Sequence, residues 1–193
     1  MRLRTGYFIL AAFSLMGGCQ TQSSTKPVEV LDERTGMTFA ALDEPLELLP
    51  DLANAVLIAG KRSTFAYLGP VEWDRMGTIS YGLWLHVAPG NGRQPGNIKA
   101  PGAVVLGLDD GPLPLTLMSA PPTLGKQPYR EAVSWGETAY FNLDVPTLRR
   151  IAASSKVSLS VPGADGAPMI FSASGDPHAT LTRYLESRGL GTQ

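Results

Sequence analysis

The chain has 193 residues, with 16 Lys and Arg against 17 Asp and Glu, and a single cysteine. A net charge of −1 without a basic patch argues against a nucleic-acid partner. One cysteine leaves no internal disulfide to make, so stability must come from the core alone.

At the N-terminus, Arg2 and Arg4 precede the uncharged stretch Thr5 to Met16, and Leu15-Met16-Gly17-Gly18-Cys19 closes it. A positive end, a short apolar segment and small residues before a cut site make a secretory signal peptide over 1–18. The apolar segment is well short of the roughly 20 residues that span a bilayer as a helix. With Cys19 as the first residue after the cut, the segment resembles a bacterial lipoprotein signal. That resemblance implies a lipidated Cys19 carrying acyl chains such as palmitate. The usual pattern has Leu three residues before the cysteine; here Met16 holds that position and Leu15 the one before it. Gln20 follows the cysteine where Asp would imply inner-membrane retention, which favours the outer membrane. Two or more acyl chains hold stably where one binds only reversibly. The folded part therefore needs no membrane-binding surface of its own for anchorage.

Residues 19–30 read as a lipidated flexible tether, since Gln20 to about Val28 is polar, small and contains Pro27. Cleavage before Cys19 removes Arg2 and Arg4 and no acid, which leaves the remainder more acidic than the precursor. The domain expected over 31–193 is single by its length. Its 21 glycines and 16 prolines, counted over the whole chain, fall between short apolar runs and predict strands and turns.

Strands are predicted at 37–42, 55–58 and 64–73, the last with Phe65, Tyr67, Val71 and Trp73 in alternation. A turn at 74–77 leads into a strand at 79–87, where Ile79, Tyr81, Leu83, Leu85 and Val87 share one face. The opposite face holds Ser80, Gly82, Trp84 and His86, less polar than a solvated face. A long Gly- and Pro-rich loop is expected over 88–102. Strands at 103–108 and 113–118 flank the turn Asp109-Asp110-Gly111-Pro112. Another strand is predicted over 133–143, with Val133, Trp135, Tyr140 and Phe141 as its bulky members. Asp144 then caps a helix over 145–154, with Pro146 in its first turn. A hairpin pairs 156–161 with 169–173, and a final helix runs over 176–188 and stops at Gly189. Eight or nine strands with two short helices predict a mainly β fold, a β-sandwich or a barrel-like domain.

Signatures of catalysis are absent. The nearest approach to a Gly-x-Ser-x-Gly elbow, Phe171-Ser172-Ala173-Ser174-Gly175, lacks the leading glycine. His86 and His178 are the only histidines, far apart and outside any metal-ligand spacing. No cofactor or metal is expected. Asp109 and Asp110 could pair as acid and base, but between two strands they read as turn residues. Three large aromatics, Trp73, Tyr81 and Trp84, fall in one hairpin and could reach one another. Most of that cluster reads as core. Any exposed members of Trp73, Arg75, Trp84 and His86, together with the 88–102 loop, are the candidate binding surface, because Trp and Arg are enriched at binding hot spots.

The start Asp32-Glu33-Arg34-Thr35-Gly36-Met37-Thr38, the segment Tyr67-Leu68-Gly69-Pro70-Val71-Glu72 through Arg75-Met76-Gly77, and the return Tyr81-Gly82-Leu83-Trp84-Leu85 resemble a group of uncharacterised proteobacterial lipoproteins over roughly 31–120. The resemblance implies an envelope location and carries no activity. The expectation is a non-catalytic lipoprotein anchored in the outer membrane and facing the periplasm, binding an envelope protein or a cell-wall component. The competing expectation is a periplasmic hydrolase with a site assembled from dispersed residues, as a Ser-His-Asp triad permits.

Overall fold

The structure, a computed structural model, describes residues 27–50, 64–89, 94–123 and 125–191. The strand expected at 55–58 lies outside them, as does most of Cys19's tether. Eleven strands and two helices form in the order β1 (Val28–Asp32), β2 (Met37–Ala41), β3 (Leu46–Pro50), β4 (Phe65–Arg75), β5 (Thr78–Ala88), β6 (Val105–Leu108), β7 (Gly111–Pro114), β8 (Thr116–Leu117), β9 (Glu137–Leu143), α1 (Val145–Ala153), β10 (Ser158–Pro162), β11 (Pro168–Ala173) and α2 (Pro177–Ser187). The fold is mainly β and barrel-like with two helices, as the sequence pattern predicts.

All the strands belong to one antiparallel sheet in the order β7-β6-β10-β11-β3-β4-β5-β9-β8, with β1 and β2 joined to it through β4. Its two ends, β7 and β8, are consecutive pieces of one segment. That segment pairs with β6 up to Pro114 and with β9 from Thr116 onward. Between them the Leu115 N–H donates to the Val104 carbonyl at 3.0 Å, and its side chain is buried. The single strand predicted over 113–118 is therefore two, because the chain changes neighbours at Leu115 and so brings the sheet's edges together.

Register separates the faces of the sheet. Leu46 and Leu48 of β3 pair with Leu68 and Ala66 of β4, which pair with Leu85 and Val87 of β5. Leu83 and Leu85 pair in turn with Phe141 and Ala139 of β9. Phe171 of β11, Leu159 of β10 and Leu106 of β6 continue the same layer through their own pairings, and every one of these side chains is buried. This apolar layer, aliphatic on β4 and β5, is the inner face.

β4 is long enough to take two partners on one edge: β3 beside 66–68 and β2 beside 71–75. Two strands had no clear pattern in the sequence. β1 begins at Val28, inside the stretch assigned to the tether, so the folded chain starts earlier than the boundary expected at residue 31. β3 is a short run between Pro45 and Pro50. In the other direction, the strand predicted from Val133 starts only at Glu137, since 133–136 forms a turn closed by the Gly136 N–H on the Val133 carbonyl.

The helices begin as predicted, on Asp144 and Asp176, whose carboxylates accept the N–H groups of Thr147 and Ala179. α1 buries Leu148, Ile151 and Ala152, and α2 buries Leu181, Tyr184 and Leu185. The His178 ring Nδ1 bonds the Ala152 carbonyl at 2.6 Å and ties the two together. Arg188, just past α2, grips the buried carboxylate of Glu72 on β4 through two nitrogens and Glu29 on β1 through a third. The two carboxylates hold its guanidinium well above its ordinary pKa. Asp109 and Asp110 are spent in the same structural way. Asp109 accepts the Ser155 N–H and hydroxyl, and Asp110 pairs with Arg150 at 2.7 Å.

Candidate functional site

The outer face of β4 and β5 is covered by the described part of the segment running from β8 to β9, residues 119–123 and 125–136. Tyr129 is its anchor. The ring seats against Gly69, where a Cβ would lie 2.3 Å from the ring, and packs on Trp84 at 5.0 Å between centroids. The hydroxyl donates to the Pro70 carbonyl at 2.7 Å and accepts the Leu42 N–H at 3.1 Å. Burial raises the pKa of this phenol well above its ordinary value, so it stays protonated and remains a donor. Two further bonds hold the strap: the Gly125 N–H on Asp32 at 2.8 Å, and the Tyr140 hydroxyl on Gln127 at 2.6 Å. Asp32 also accepts from the Arg34 N–H and the Thr35 hydroxyl, and these bonds, led by that from Gly125, lower its pKa.

This covering decides the fate of the candidate surface. Trp73, Trp84 and His86 are all fully buried, and only Arg75 is exposed. Trp73 packs against Tyr140 and fills the notch at Gly82, where a Cβ would lie 2.5 Å from its ring. Tyr81 points to the opposite face from Trp73 and Trp84, so the three aromatics do not meet as one cluster. Arg75 sits at one end of the eleven-residue β5 pairing and Ala88 at the other, about 30 Å apart at strand rise. The described part of the 88–102 loop turns away, bridging Pro95 to Gly163 and burying Ile98. The four residues therefore do not form a surface with that loop.

What the fold does assemble is a cross-strand row on the outer face: Glu47 of β3, Tyr67 of β4, His86 of β5 and Thr138 of β9 stand opposite one another in register. Above it the Thr138 hydroxyl donates to Glu131 at 2.7 Å, and the same oxygen lies 2.9 Å from His86 Nδ1. The hydroxyl has one hydrogen, already given to the carboxylate, so His86 Nδ1–H must be the donor. That leaves Nε2 with a bare lone pair. It has no hydrogen-bond partner among the described residues, and a Cβ at Gly136 would lie 2.6 Å from it. The ring stacks on Trp84 at 5.7 Å. Burial pushes the imidazole pKa below its ordinary value, and Glu131 pulls it part of the way back.

Beside this row opens a groove of about 460 Å³ lined by Glu44, Pro45, Glu47, Tyr67, Arg130, Glu131 and Ala132. Glu131 belongs to both features: one oxygen takes the Thr138 hydroxyl, while its side chain also lines the groove. None of Glu131, Thr138, Tyr129 or the groove glutamates stands out in the sequence. The available signal was the set of strand and turn glycines, Gly69, Gly82 and Gly136, each of which yields space to a large side chain.

Among the described residues no group of three His, Cys, Asp or Glu could hold a metal ion, and no helix is long and apolar enough to cross a membrane. No protein-family model, curated protein or solved structure matches this chain.

Proposed function

We propose that this chain is a bacterial envelope lipoprotein, anchored through lipidated Cys19 in the outer membrane, whose β domain works in the periplasm by binding and not by catalysis. The observation that carries the reading is the N-terminal pattern: two arginines, a short apolar segment, Gly17-Gly18 and then the only cysteine of the chain. Metabolic labelling with a palmitate analogue tests it. Label should appear on the wild type and vanish in Cys19→Ser, and the mature mass should correspond to a chain beginning at Cys19. An unlabelled protein, or a label that survives Cys19→Ser, overturns it.

The groove beside Glu131 is the binding site this reading assigns. Three glutamates against one arginine favour a partner that presents positive charge. Glu44 is exposed, and Glu44→Lys should weaken that binding and leave folding intact.

A hydrolase has one observation in its favour, the Glu131–Thr138–His86 chain, which orients an imidazole as catalytic sites do. Against it, the free Nε2 lies sealed under Gly136, where a substrate has no access. His86→Gln should leave any ester or glycan hydrolysis by the purified protein unchanged; a loss proportional to His86 removal would revive the enzyme reading.

A further inference from the structure

A buried imidazole and an open groove share one carboxylate. Glu131 accepts the Thr138 hydroxyl at 2.7 Å, and its side chain also lines the groove with Glu44, Tyr67 and Arg130. Thr138 in turn accepts the His86 Nδ1–H at 2.9 Å. The two features are also joined along the chain. Only Val133, Ser134 and Trp135 separate the groove wall Arg130-Glu131-Ala132 from Gly136, the residue that seals the ring.

The neutral ring is satisfied with its one N–H on Thr138, so a second proton can go only to Nε2. That nitrogen is buried and has no hydrogen-bond partner among the described residues, and a Cβ at Gly136 would lie 2.6 Å from it. A charged N–H sealed there without an acceptor is strongly disfavoured. It is relieved only if Gly136 gives way and the strap moves. Several charged or titratable groups surround the ring. Glu47 of β3 and Tyr67 of β4 stand in its row, and Tyr129 packs on the neighbouring Trp84. Glu137 lies beside Thr138 on the other face of β9, and the strap brings Arg130 and Glu131. Of these, Glu131 is the charge that acts on the imidazole, and it favours the protonated form.

We infer that His86 is a proton-operated switch of the groove: protonation at Nε2 engages Glu131 and shifts the strap at Gly136, and a cation held in the groove is released. The inference rests on the groove reading for the cationic ligand, and on the hydrogen-bond chain for the switch. Two effects run in the same direction. The imidazolium cancels the negative charge that Glu131 presents to a ligand, and the displaced strap carries the groove wall with it. By linkage, a cation bound at Glu131 must lower the proton affinity of His86 by the same factor as the proton lowers the cation's affinity. The folded-state pKa of His86 lies below its ordinary 6.5, so the groove holds its ligand at neutral pH and loses it under acidic conditions.

The test uses the purified full-length protein, with N-acetylated tetralysine as the probe because its charge is constant between about pH 5 and about pH 7.5. Calorimetry should show its affinity falling about tenfold from the higher pH to the lower, a coupling of ordinary size. In His86→Gln the ratio should shrink to near one. A second arm uses no probe. In nuclear magnetic resonance titrations, the amide signals of Glu131, Ala132 and Gly136 should shift with the same midpoint as the His86 ring, below pH 6.5. Glu131→Gln should move that midpoint lower still, because it removes the charge that favours the imidazolium. Strap signals that do not follow the ring, a midpoint unmoved by Glu131→Gln, or equal affinity ratios in wild type and His86→Gln overturns the inference. Glu131 is exposed, so its variant keeps the switch testable should His86→Gln fail to fold. If tetralysine does not bind at about pH 7.5, the groove reading fails separately, and the probe-free titration still decides the switch.

Discussion

On the inner face of β4 and β5 the buried apolar side chains include Ala66, Leu68, Leu83, Leu85 and Val87, with the ion-paired Glu72 at one end; on the outer face the buried side chains include Val71, Trp73, Trp84 and His86, with Gly69 and Gly82 among them. The inner layer is filled by neighbouring strands that continue the barrel, and interchangeable aliphatics suffice for it. The outer layer is filled by one irregular segment together with side chains of β9, and each contact there is particular: a ring in a glycine notch, a phenol between Leu42 and Pro70, an imidazole held by Thr138. Equal burial thus hides two kinds of core. One tolerates substitution by volume, and the other depends on a lid staying down.

The largest effect should come from cutting each layer once. Trp84→Ala should cost about 3–5 kcal/mol and Leu85→Ala about 2–5 kcal/mol in urea unfolding. The two should differ in kind. Trp84→Ala removes the platform under Tyr129 and should open 119–136 to limited proteolysis before global unfolding, whereas Leu85→Ala should not. Cleavage at equal rates in both variants would break the distinction.

Tyr129→Phe keeps the ring and deletes the hydroxyl, stranding the buried Leu42 N–H and Pro70 carbonyl. A loss of about 1–3 kcal/mol is expected, again with faster cleavage of the strap. Gly69→Ala should do similar harm from the opposite side, since its Cβ has no room beside the Tyr129 ring.

A smaller effect separates the layers by pH. His86 has a folded-state pKa below its ordinary value of 6.5. The unfolded chain therefore takes up its proton first as pH falls. Its contribution is complete above about pH 6.5 and is lost below it, as far as the lower folded pKa. Asp32, Asp109, Asp110 and Asp144 are also lowered, from 3.8, so their stabilisation is lost only at more acidic pH. Urea midpoints should begin to fall near pH 6.5 in the wild type and only near pH 4 in His86→Gln. Identical profiles would mean that the imidazole is not sealed. Smallest of all, Met76 in the β4–β5 turn is held at a φ of 54°, a strained conformation for a non-glycine, and Met76→Asn should add up to about 1 kcal/mol.

The contrast also explains which parts of the fold were legible. β5 could be read because Leu83, Leu85 and Val87 face a regular aliphatic layer, and both helices because Asp144 and Asp176 cap them before a proline. β1 was hidden by its position directly after a polar run, and β3 by its brevity between two prolines. Val133 and Trp135 look like strand residues, yet Trp135 is 69% exposed on a turn. The outer site was the least readable. Trp84 and His86 were correctly placed opposite Leu83 and Leu85, but their burial is imposed by a Pro-rich segment some 50 residues downstream, and no local period announces it. The row Glu47, Tyr67, His86 and Thr138 exists only through strand pairing, so its members carry no mutual spacing in the chain.

Arg188 has a consequence for how the molecule is made. Its bonds to Glu29 and Glu72 join residues 159 and 116 positions apart, and β3 finds its neighbour β11 only over a comparable stretch of chain. A ribosome delivers the first strands long before their last partners. Until α2 emerges, β1 and β2 lack the clamp that holds them, and the sheet stays open between β3 and β11. Contacts this distant slow folding, because the loop must close before they contribute. The nascent chain is therefore predisposed to remain unfolded until α2 and Arg188 have been made.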